Sequence, residues 1–397
     1  MFKIDEKEVD AVANIIKSGK IFRYNPGSCT EFLEKEWAEK IGTKYSLATS
    51  SGTASLICAL AALGIGPGDE VIVPGYTFIA TAAAVLAVGA IPILADVDET
   101  LTLDAADVER KISPFTKAVI PVHMQGFPCN MDAIIAVAKK HSLSVVEDAC
   151  QADGGSYKGK RLGSIGDAGA NSFNFFKIIG AGEGGALVTN NKAVYERAVI
   201  QHDCGNTFFT GRDMSVNLFM GWNFRMSDIL AAVMRVQVTR LDGILSSLRK
   251  EKAFLRESLA AASSFRVSPS HDEAGDCGTT LALLFPSGTA AASFIDTVKA
   301  DGVGGAHSPI NTGKHVYSNW QAILEKQGAH HPDRNPYKFA QREITYTKDM
   351  LPNTLDILAR TVYVPMHIDH SLEQQNIMLK AMLAADGQAL NAVRKSA

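Results

Sequence analysis

Short apolar runs alternate with helical patterns through the first two thirds of the chain, and this alternation limits the possible folds more than any other feature. The runs that predict strands cover residues 70–74, 90–94, 118–123, 144–148 and 185–189. Because these runs are almost uninterrupted, the strands are expected to be buried on both faces, in a mostly parallel sheet covered by helices. Ligands of such sheets bind beyond the carboxyl ends of the strands, so polar residues just after each run are the candidates for chemistry.

The composition is that of a folded protein with more than one domain. The 397 residues are 46% hydrophobic and 20% charged, and the formal net charge is −3. This usage excludes disordered and fibrous chains, and it lacks the concentrated basic surface that a nucleic-acid partner requires. The pattern changes after residue 241, where a long helix over 242–262 is predicted. We therefore expect an N-terminal helix over 1–20, a large domain over 21–245 and a smaller α+β domain over 246–397.

Three features bear on the cellular compartment. The six cysteines are scattered without paired spacing, which is typical of reduced thiols. Asp5 and Glu6 stand where a signal peptide would have its apolar region. The segment 71–95 carries no charge, but Pro74 and Pro92 interrupt it, which favours a buried strand, a loop and a core helix over a membrane span. The expectation is a cytoplasmic protein with no membrane partner.

Lys177 is the first candidate catalytic residue. It lies between an aromatic run over 173–176 and a glycine-rich run over 180–185. An amine that loses water in such surroundings has a lowered pKa and becomes nucleophilic, as Schiff-base chemistry requires. A lone lysine is more often a surface side chain whose stem lies along apolar neighbours. The choice between the two interpretations therefore depends on the other candidate residues.

Asp148 and Gln151 follow at the end of the strand predicted over 144–148. A carboxylate there can pair with a pyridinium nitrogen and keep that ring protonated, and Gln151 can contact the ring from the same loop. The alternative for Asp148 is a helix N-cap. His123, after the preceding strand, is interpreted as a structural hydrogen-bonding residue. No group of His, Cys, Asp and Glu residues has the spacing of metal ligands, so no metal is expected.

The segment 49–54 predicts an anion site. Its small residues open a helix, whose free backbone N–H groups and dipole attract a phosphate. The hydroxyls of Thr53 and Ser172 are candidate further donors, and Phe78, just after the strand over 70–74, can lie against a flat cofactor. Taken singly, these are ordinary capping and core residues. Together with Lys177 and the carboxylate, they supply each part of a pyridoxal-phosphate site.

The chain resembles the DegT/DnrJ/StrS-type sugar aminotransferases, which are fold-type I pyridoxal-phosphate enzymes. The resemblance covers nearly the whole chain and rests on residues 51–53, 68–74, 182–185 and 222–227. It implies an α/β large domain, with a mostly parallel seven-stranded sheet sandwiched by helices, and a smaller α+β C-terminal domain.

The same resemblance implies a role for each site residue. Lys177 would hold the cofactor through its amine and later act as general base and acid, while Asp148 would pair with the pyridine nitrogen. The other implied cofactor contacts are Gly52, Thr53 and Ser172 at the phosphate, Phe78 on the ring face, Gln151 at the ring, and Asn223 from a partner subunit. The contact from Asn223 implies a homodimer with shared active sites.

The resemblance also implies a ping-pong transfer from L-glutamate or L-glutamine to a keto-sugar. Dehydratases of the family replace the lysine with histidine, so Lys177 favours transamination over that alternative. The segments 22–25 and 311–320 look most like the branch that aminates the eighth carbon of an oxidised octulosonate sugar. The substrate contacts implied there are Arg23, Tyr24 and Asn311. The alternative acceptors are nucleotide-linked keto-sugars and aminocyclitol precursors, and the alternative for Arg23 is a surface role.

Overall fold

A seven-stranded sheet forms the centre of the computed structural model, which describes residues 2–205 and 214–396, with side chains up to Asp386 in the last helix. Its strands are β1 (Tyr45–Thr49), β2 (Glu70–Pro74), β3 (Ile91–Ala95), β4 (Thr116–Val119), β5 (Ser144–Asp148), β8 (Ala168–Ser172) and β9 (Gly185–Thr189). The strand order across this sheet is β1-β9-β8-β5-β4-β2-β3. The short pair β6 (Ser156–Tyr157) and β7 (Lys160–Arg161) forms a separate hairpin.

The central sheet confirms the predicted mostly parallel arrangement. β3, β2, β4, β5 and β8 pair in parallel, and β9 is antiparallel to both β8 and β1. The strand predicted over 118–123 ends sooner, at Val119, because Pro121 has no N–H to donate to a neighbouring strand. The Ile120 N–H still donates to the Ile72 carbonyl at 2.9 Å.

Helices cover both faces of this sheet. They are α1 (Glu6–Ser18), α2 (Cys29–Ile41), α3 (Gly52–Ala62), α4 (Ala80–Ala87), α5 (Ala105–Lys111), α6 (Met131–His141), α7 (Lys192–His202) and α8 (Asp228–Ser258). The helix predicted over 242–262 is the second half of α8, which begins earlier, at Asp228, and ends at Ser258. The Asp228 carboxylate accepts N–H bonds from Cys29 and Thr30 and so joins the start of α8 to the start of α2. The domain boundary predicted at residue 245 lies within this continuous helix.

The C-terminal part contains a second, three-stranded sheet in the order β10-β11-β12. Its elements are β10 (Arg266–Val267), β11 (Thr280–Leu284), α9 (Gly288–Ala300), α10 (Gln321–Leu324), α11 (Pro352–Ala359), β12 (Thr361–Pro365) and α12 (Leu372–Ser396). The chain between α9 and β12 returns to the central sheet. Arg342 forms an ion pair with Glu70 of β2 at 2.5 Å, and the Thr354 N–H donates to Asp96, just after β3, at 2.8 Å. These contacts bring C-terminal residues beside the loops that follow β2 and β3.

None of the helices over 2–205 and 214–396 combines the length and the apolar character needed to cross a membrane.

Candidate active site

The carboxyl ends of parallel strands place the predicted residues at one edge of the central sheet. Gly52 follows β1, Phe78 follows β2, Asp148 ends β5 and Ser172 ends β8. β1 points the same way as β8, because both are antiparallel to β9. Lys177 lies in the loop between β8 and β9. This is the edge at which open α/β sheets bind ligands.

The N-terminus of α3 has free hydrogen-bond donors. Ser51 caps the helix, and its side chain accepts the N–H of the third helical residue at 3.1 Å. Across residues 2–205 and 214–396, no group accepts the N–H of Gly52 or Thr53. Two free amides at a helix N-terminus attract an anion.

Glycine at position 52 is required by the close approach of two neighbours. A Cβ built there would lie 2.6 Å from the Cys150 Sγ and 2.8 Å from the Ser172 Cβ. Both distances are shorter than side chains tolerate, so only glycine lets the helix end, the Ser172 hydroxyl and the loop after β5 meet. The predicted phosphate residues Gly52 and Ser172 therefore lie in contact with each other.

Asp148 is buried and held in a fixed orientation. Its Oδ2 accepts the hydroxyl of Thr81 at 2.7 Å, and its Oδ1 accepts the N–H of Cys150 at 3.1 Å. Its backbone N–H donates to Pro121 O at 2.9 Å, and its carbonyl accepts the His123 N–H at 3.0 Å. The Asp148 side chain is therefore a hydrogen-bonded carboxylate rather than a helix N-cap, since no helix starts there.

The neighbouring Glu147 side chain points to the other face of β5 and anchors the strand. Its carboxylate accepts N–H bonds from Gly163, Ile165 and Gly166 at 2.6–2.9 Å and lies 3.1 Å from His123 Nε2. His123 Nδ1 accepts a backbone N–H at 3.1 Å, so both ring nitrogens have partners. This arrangement supports the structural interpretation of His123.

Lys177 is half-buried, and its amine is uncommitted. Its Nζ forms no hydrogen bond or ion pair with any residue that the structure describes. Burial raises the pKa of the Cys150 thiol and of the Asp153 carboxyl well above their usual values, and the charge of Lys177 opposes both rises. The amine therefore lies close to the loop after β5 and is available to a ligand.

Phe78 and Gln151 lie in the loops that follow β2 and β5 at the same edge of the sheet. The Phe78 ring is 40% exposed and lies 5.4 Å from the ring of His315, centroid to centroid. The Gln151 side chain accepts the N–H of Gln125 at 3.2 Å, which holds it in the loop after β5. An exposed ring at a strand end offers a face to a flat ligand.

Asn223 lies on an exposed segment. Its Oδ1 accepts the N–H of Arg225 at 3.2 Å, and the backbone of the next residue, Phe224, accepts the N–H of Ser50 at 2.7 Å. The segment is therefore anchored beside the start of α3 while the Asn223 amide faces outward.

The three predicted substrate residues have different surroundings. The side chain of Arg23 is only 7% exposed, and its terminal nitrogens donate to Glu34 at 2.7 Å and to the Ala48 carbonyl at 3.0 Å. The burial of the Arg23 side chain excludes the surface position, and its role toward a substrate carboxylate stays a prediction. The Tyr24 hydroxyl donates to Asp203 at 2.5 Å. Asn311 is exposed in the turn region before α10.

Residues 2–322 match the model of the DegT/DnrJ/EryC1/StrS aminotransferase family, and the chain belongs to this family. It is 42% identical to the GDP-perosamine synthase of Caulobacter vibrioides over 234 residues, which is 57% of this chain and 61% of that protein. It is 36% identical to the L-glutamine:2-deoxy-scyllo-inosose aminotransferase of Micromonospora echinospora over 265 residues, 64% of this chain and 63% of that one. These matches span about three-fifths of the length of the curated relatives.

The fold has a solved counterpart over its whole length. The aminotransferase from Psychrobacter cryohalolentis superposes with a TM-score of 0.82 at 26% identity, covering 98% of each chain. This likeness agrees with the fold-type I architecture that the sequence predicts.

The residues present fit pyridoxal phosphate. The free amides of Gly52 and Thr53 suit its phosphate, and a Cβ at position 52 would fill the space that they share with Ser172. The buried carboxylate of Asp148 suits a protonated pyridine nitrogen, and the unpartnered amine of Lys177 suits its carbonyl carbon.

Sequence reasoning missed two residues of this site. Thr81, which orients Asp148, lies in the alanine-rich start of α4 and carries no motif of its own. His315 lies in the segment 311–320, where the sequence singled out Asn311 and not the histidine. Their positions in the sequence could have indicated both residues, since Thr81 follows Phe78 by three residues and His315 falls within the segment 311–320.

Proposed function

We propose that this protein is a pyridoxal-phosphate-dependent aminotransferase that carries an amino group from L-glutamate or L-glutamine to a keto-sugar or sugar-derived carbonyl. The observation that supports this most is the Lys177 amine, which has no hydrogen-bond or ion-pair partner among the described residues. It lies at the sheet edge that also holds the buried Asp148 carboxylate and two free helix amides. Donor and acceptor would use the same site in turn, in a ping-pong cycle.

Each part of the cofactor would have its own residues. Gly52, Thr53 and Ser172 would bind the phosphate, Phe78 would lie on the ring face, and Gln151 would contact the ring edge. Asp148 would bind the ring nitrogen. When bound, pyridoxal phosphate supplies an electron sink for the charge that develops at the α-carbon of the amino donor.

The protein supplies proton transfer and orientation. Lys177 would hold the cofactor until the donor amine replaces it, and its freed Nζ would then take the proton from the donor α-carbon as a general base. Asp148 would keep the proton on the ring nitrogen, because Thr81 and the Cys150 N–H hold its carboxylate in place. A dehydratase is less well supported, since Lys177 is retained.

The acceptor class is proposed from the relatives. One is named for GDP-perosamine and another for 2-deoxy-scyllo-inosose, a hydroxylated cyclic ketone. A nucleotide-linked keto-sugar, an aminocyclitol precursor and an oxidised octulosonate are the acceptors to compare.

We further propose a homodimer in which Asn223 reaches the partner's site. Exposed large apolar side chains near the candidate site support this, with Phe176 78%, Met220 82% and Trp222 58% exposed. Large apolar side chains with this exposure are commonly covered in an interface. The six cysteines form no disulfide, which supports a reducing compartment such as the cytoplasm.

Transfer of isotope tests this function. Holoenzyme is incubated with L-glutamate labelled with 15N at the α-amine, and then, after removal of free amino acid, with each candidate acceptor. We expect release of 2-oxoglutarate in the first step and a 15N-labelled amino sugar or aminocyclitol in the second. Absence of 2-oxoglutarate with glutamate, and of the corresponding keto acid with glutamine, would contradict the proposal.

A further inference from the structure

A turn from the C-terminal part of the chain pairs with the loop that carries Phe78. The His315 carbonyl accepts the Thr77 N–H at 3.0 Å, and the Tyr317 N–H donates to the Gly75 carbonyl at 2.9 Å. These bonds are made by the backbone, so they do not depend on the side chain at position 315. They fix the His315 side chain beside Phe78.

Buried aromatic residues make this turn rigid. The Tyr317 hydroxyl donates to the Lys348 carbonyl at 2.9 Å, and the Trp320 indole N–H donates to the Lys314 carbonyl at 2.8 Å. Both rings are almost fully buried. The turn therefore presents its side chains in a preorganised position, as a binding site requires.

The His315 ring presents a hydrogen-bond acceptor with no partner. Its Nδ1 lies 3.2 Å from the Thr312 carbonyl, so Nδ1 carries the proton and Nε2 carries a lone pair. Nε2 bonds to none of the residues in the described part of the chain. Burial lowers the pKa of His315, and the charges of Lys177 and His307 lower it further, which favours the neutral ring.

The chemistry of this position selects its ligand. A lone pair repels a carboxylate or phosphate oxygen and attracts a donor. An ammonium group is disfavoured because the positive charge of Lys177 is close by. A neutral hydroxyl is a donor that suits both the Nε2 lone pair of His315 and the nearby charge of Lys177.

We propose that His315 Nε2 accepts a hydrogen bond from a hydroxyl of the acceptor substrate, and that it selects polyhydroxylated ketones. This inference rests on the proposed aminotransferase function. With L-glutamate as the amino donor, it assigns His315 to the acceptor half of the cycle, because the glutamate side chain carries no neutral hydrogen-bond donor.

Two ketones of the same ring size provide the test. The probe is 2-deoxy-scyllo-inosose, and cyclohexanone is its unhydroxylated counterpart. The protein is first converted with L-glutamate and freed of amino acid, and the rate constant kcat/KM for each ketone is then measured. We expect wild-type protein to prefer the hydroxylated ketone. His315→Phe should lower kcat/KM for 2-deoxy-scyllo-inosose about tenfold, the usual effect of one lost hydrogen bond, and leave that for cyclohexanone unchanged.

Matched variants separate binding from structure. His315→Gln retains a carbonyl acceptor and should recover part of the loss. His330→Phe, in an exposed position of the same region, should behave as wild type. The rate of the glutamate half-reaction and the melting temperature should stay unchanged in all three variants, whereas a structural role would alter them.

The outcomes distinguish this inference from the function on which it rests. Equal losses of His315→Phe on both ketones would overturn the inference. So would a wild-type protein that reacts with glutamate but not with the hydroxylated ketone. Failure of wild-type protein to react with either amino-acid donor would instead overturn the proposed function.

Discussion

Replacement of Gly52 by alanine tests the geometry of the predicted phosphate site. The new Cβ would lie 2.6 Å from the Cys150 Sγ, whereas ordinary contacts begin near 3.4 Å, so the sulfur or the helix end must move by about 0.8 Å. The Ser172 Cβ, at 2.8 Å, blocks the other direction. Overpacking of this kind costs about 1–3 kcal/mol. We therefore expect the free energy of unfolding of cofactor-free Gly52→Ala to fall by about 1–3 kcal/mol. Its affinity for pyridoxal phosphate should fall as well, because the displaced helix end carries the amides that would bind the phosphate.

The assay combines urea unfolding of the cofactor-free protein with a titration of pyridoxal phosphate. Gly243→Ala is the matched control, because Gly243 lies in α8 with no atom within 4 Å of the added Cβ. Alanine is favoured over glycine in a helix, so the control should be more stable by up to about 1 kcal/mol and bind the cofactor normally. Wild-type stability and wild-type cofactor affinity in Gly52→Ala would refute the packing described here.

The remaining predictions concern the other site residues. Lys177→Ala should fold normally and lose transamination by several orders of magnitude; substantial residual turnover would exclude Lys177 as the central amine. Thr81→Val removes the 2.7 Å hydrogen bond to Asp148, so we expect stability lower by about 1 kcal/mol in urea unfolding and slower turnover at saturating donor, and unchanged turnover would argue against an orienting role. Asn223→Ala should weaken cofactor retention on gel filtration, and wild-type retention would contradict a contact from a partner subunit.

The sequence predicted the central sheet where side chains are apolar and β-branched. β2 and β5 have the predicted bounds, because Val and Ile runs favour buried strands. β8 (Ala168–Ser172) carries Ala, Gly, Asn and Ser and has little strand propensity of its own. It becomes a strand because β5 and β9 offer it hydrogen bonds on both sides, and such long-range pairing is not visible in a local pattern.

The site shows the same difference between local motifs, which can be recognised in the sequence, and long-range contacts, which cannot. Lys177, Asp148 and Gly52 were recognisable because each stands in a short motif near a strand end. His315 lies beside Phe78 only because residues 314–317 pair with residues more than 200 positions earlier in the chain. The ion pair of Arg23 with Glu34 was likewise not visible in a local motif, because the two residues meet only when α2 is formed.

The most direct test of the aminotransferase proposal is the visible absorption spectrum of the purified protein with pyridoxal phosphate, before and after addition of L-glutamate. The proposal predicts a yellow band from cofactor linked to Lys177, which bleaches with glutamate or glutamine and is absent from Lys177→Ala. A protein that binds no pyridoxal phosphate, or whose band responds to neither amino acid, would contradict it.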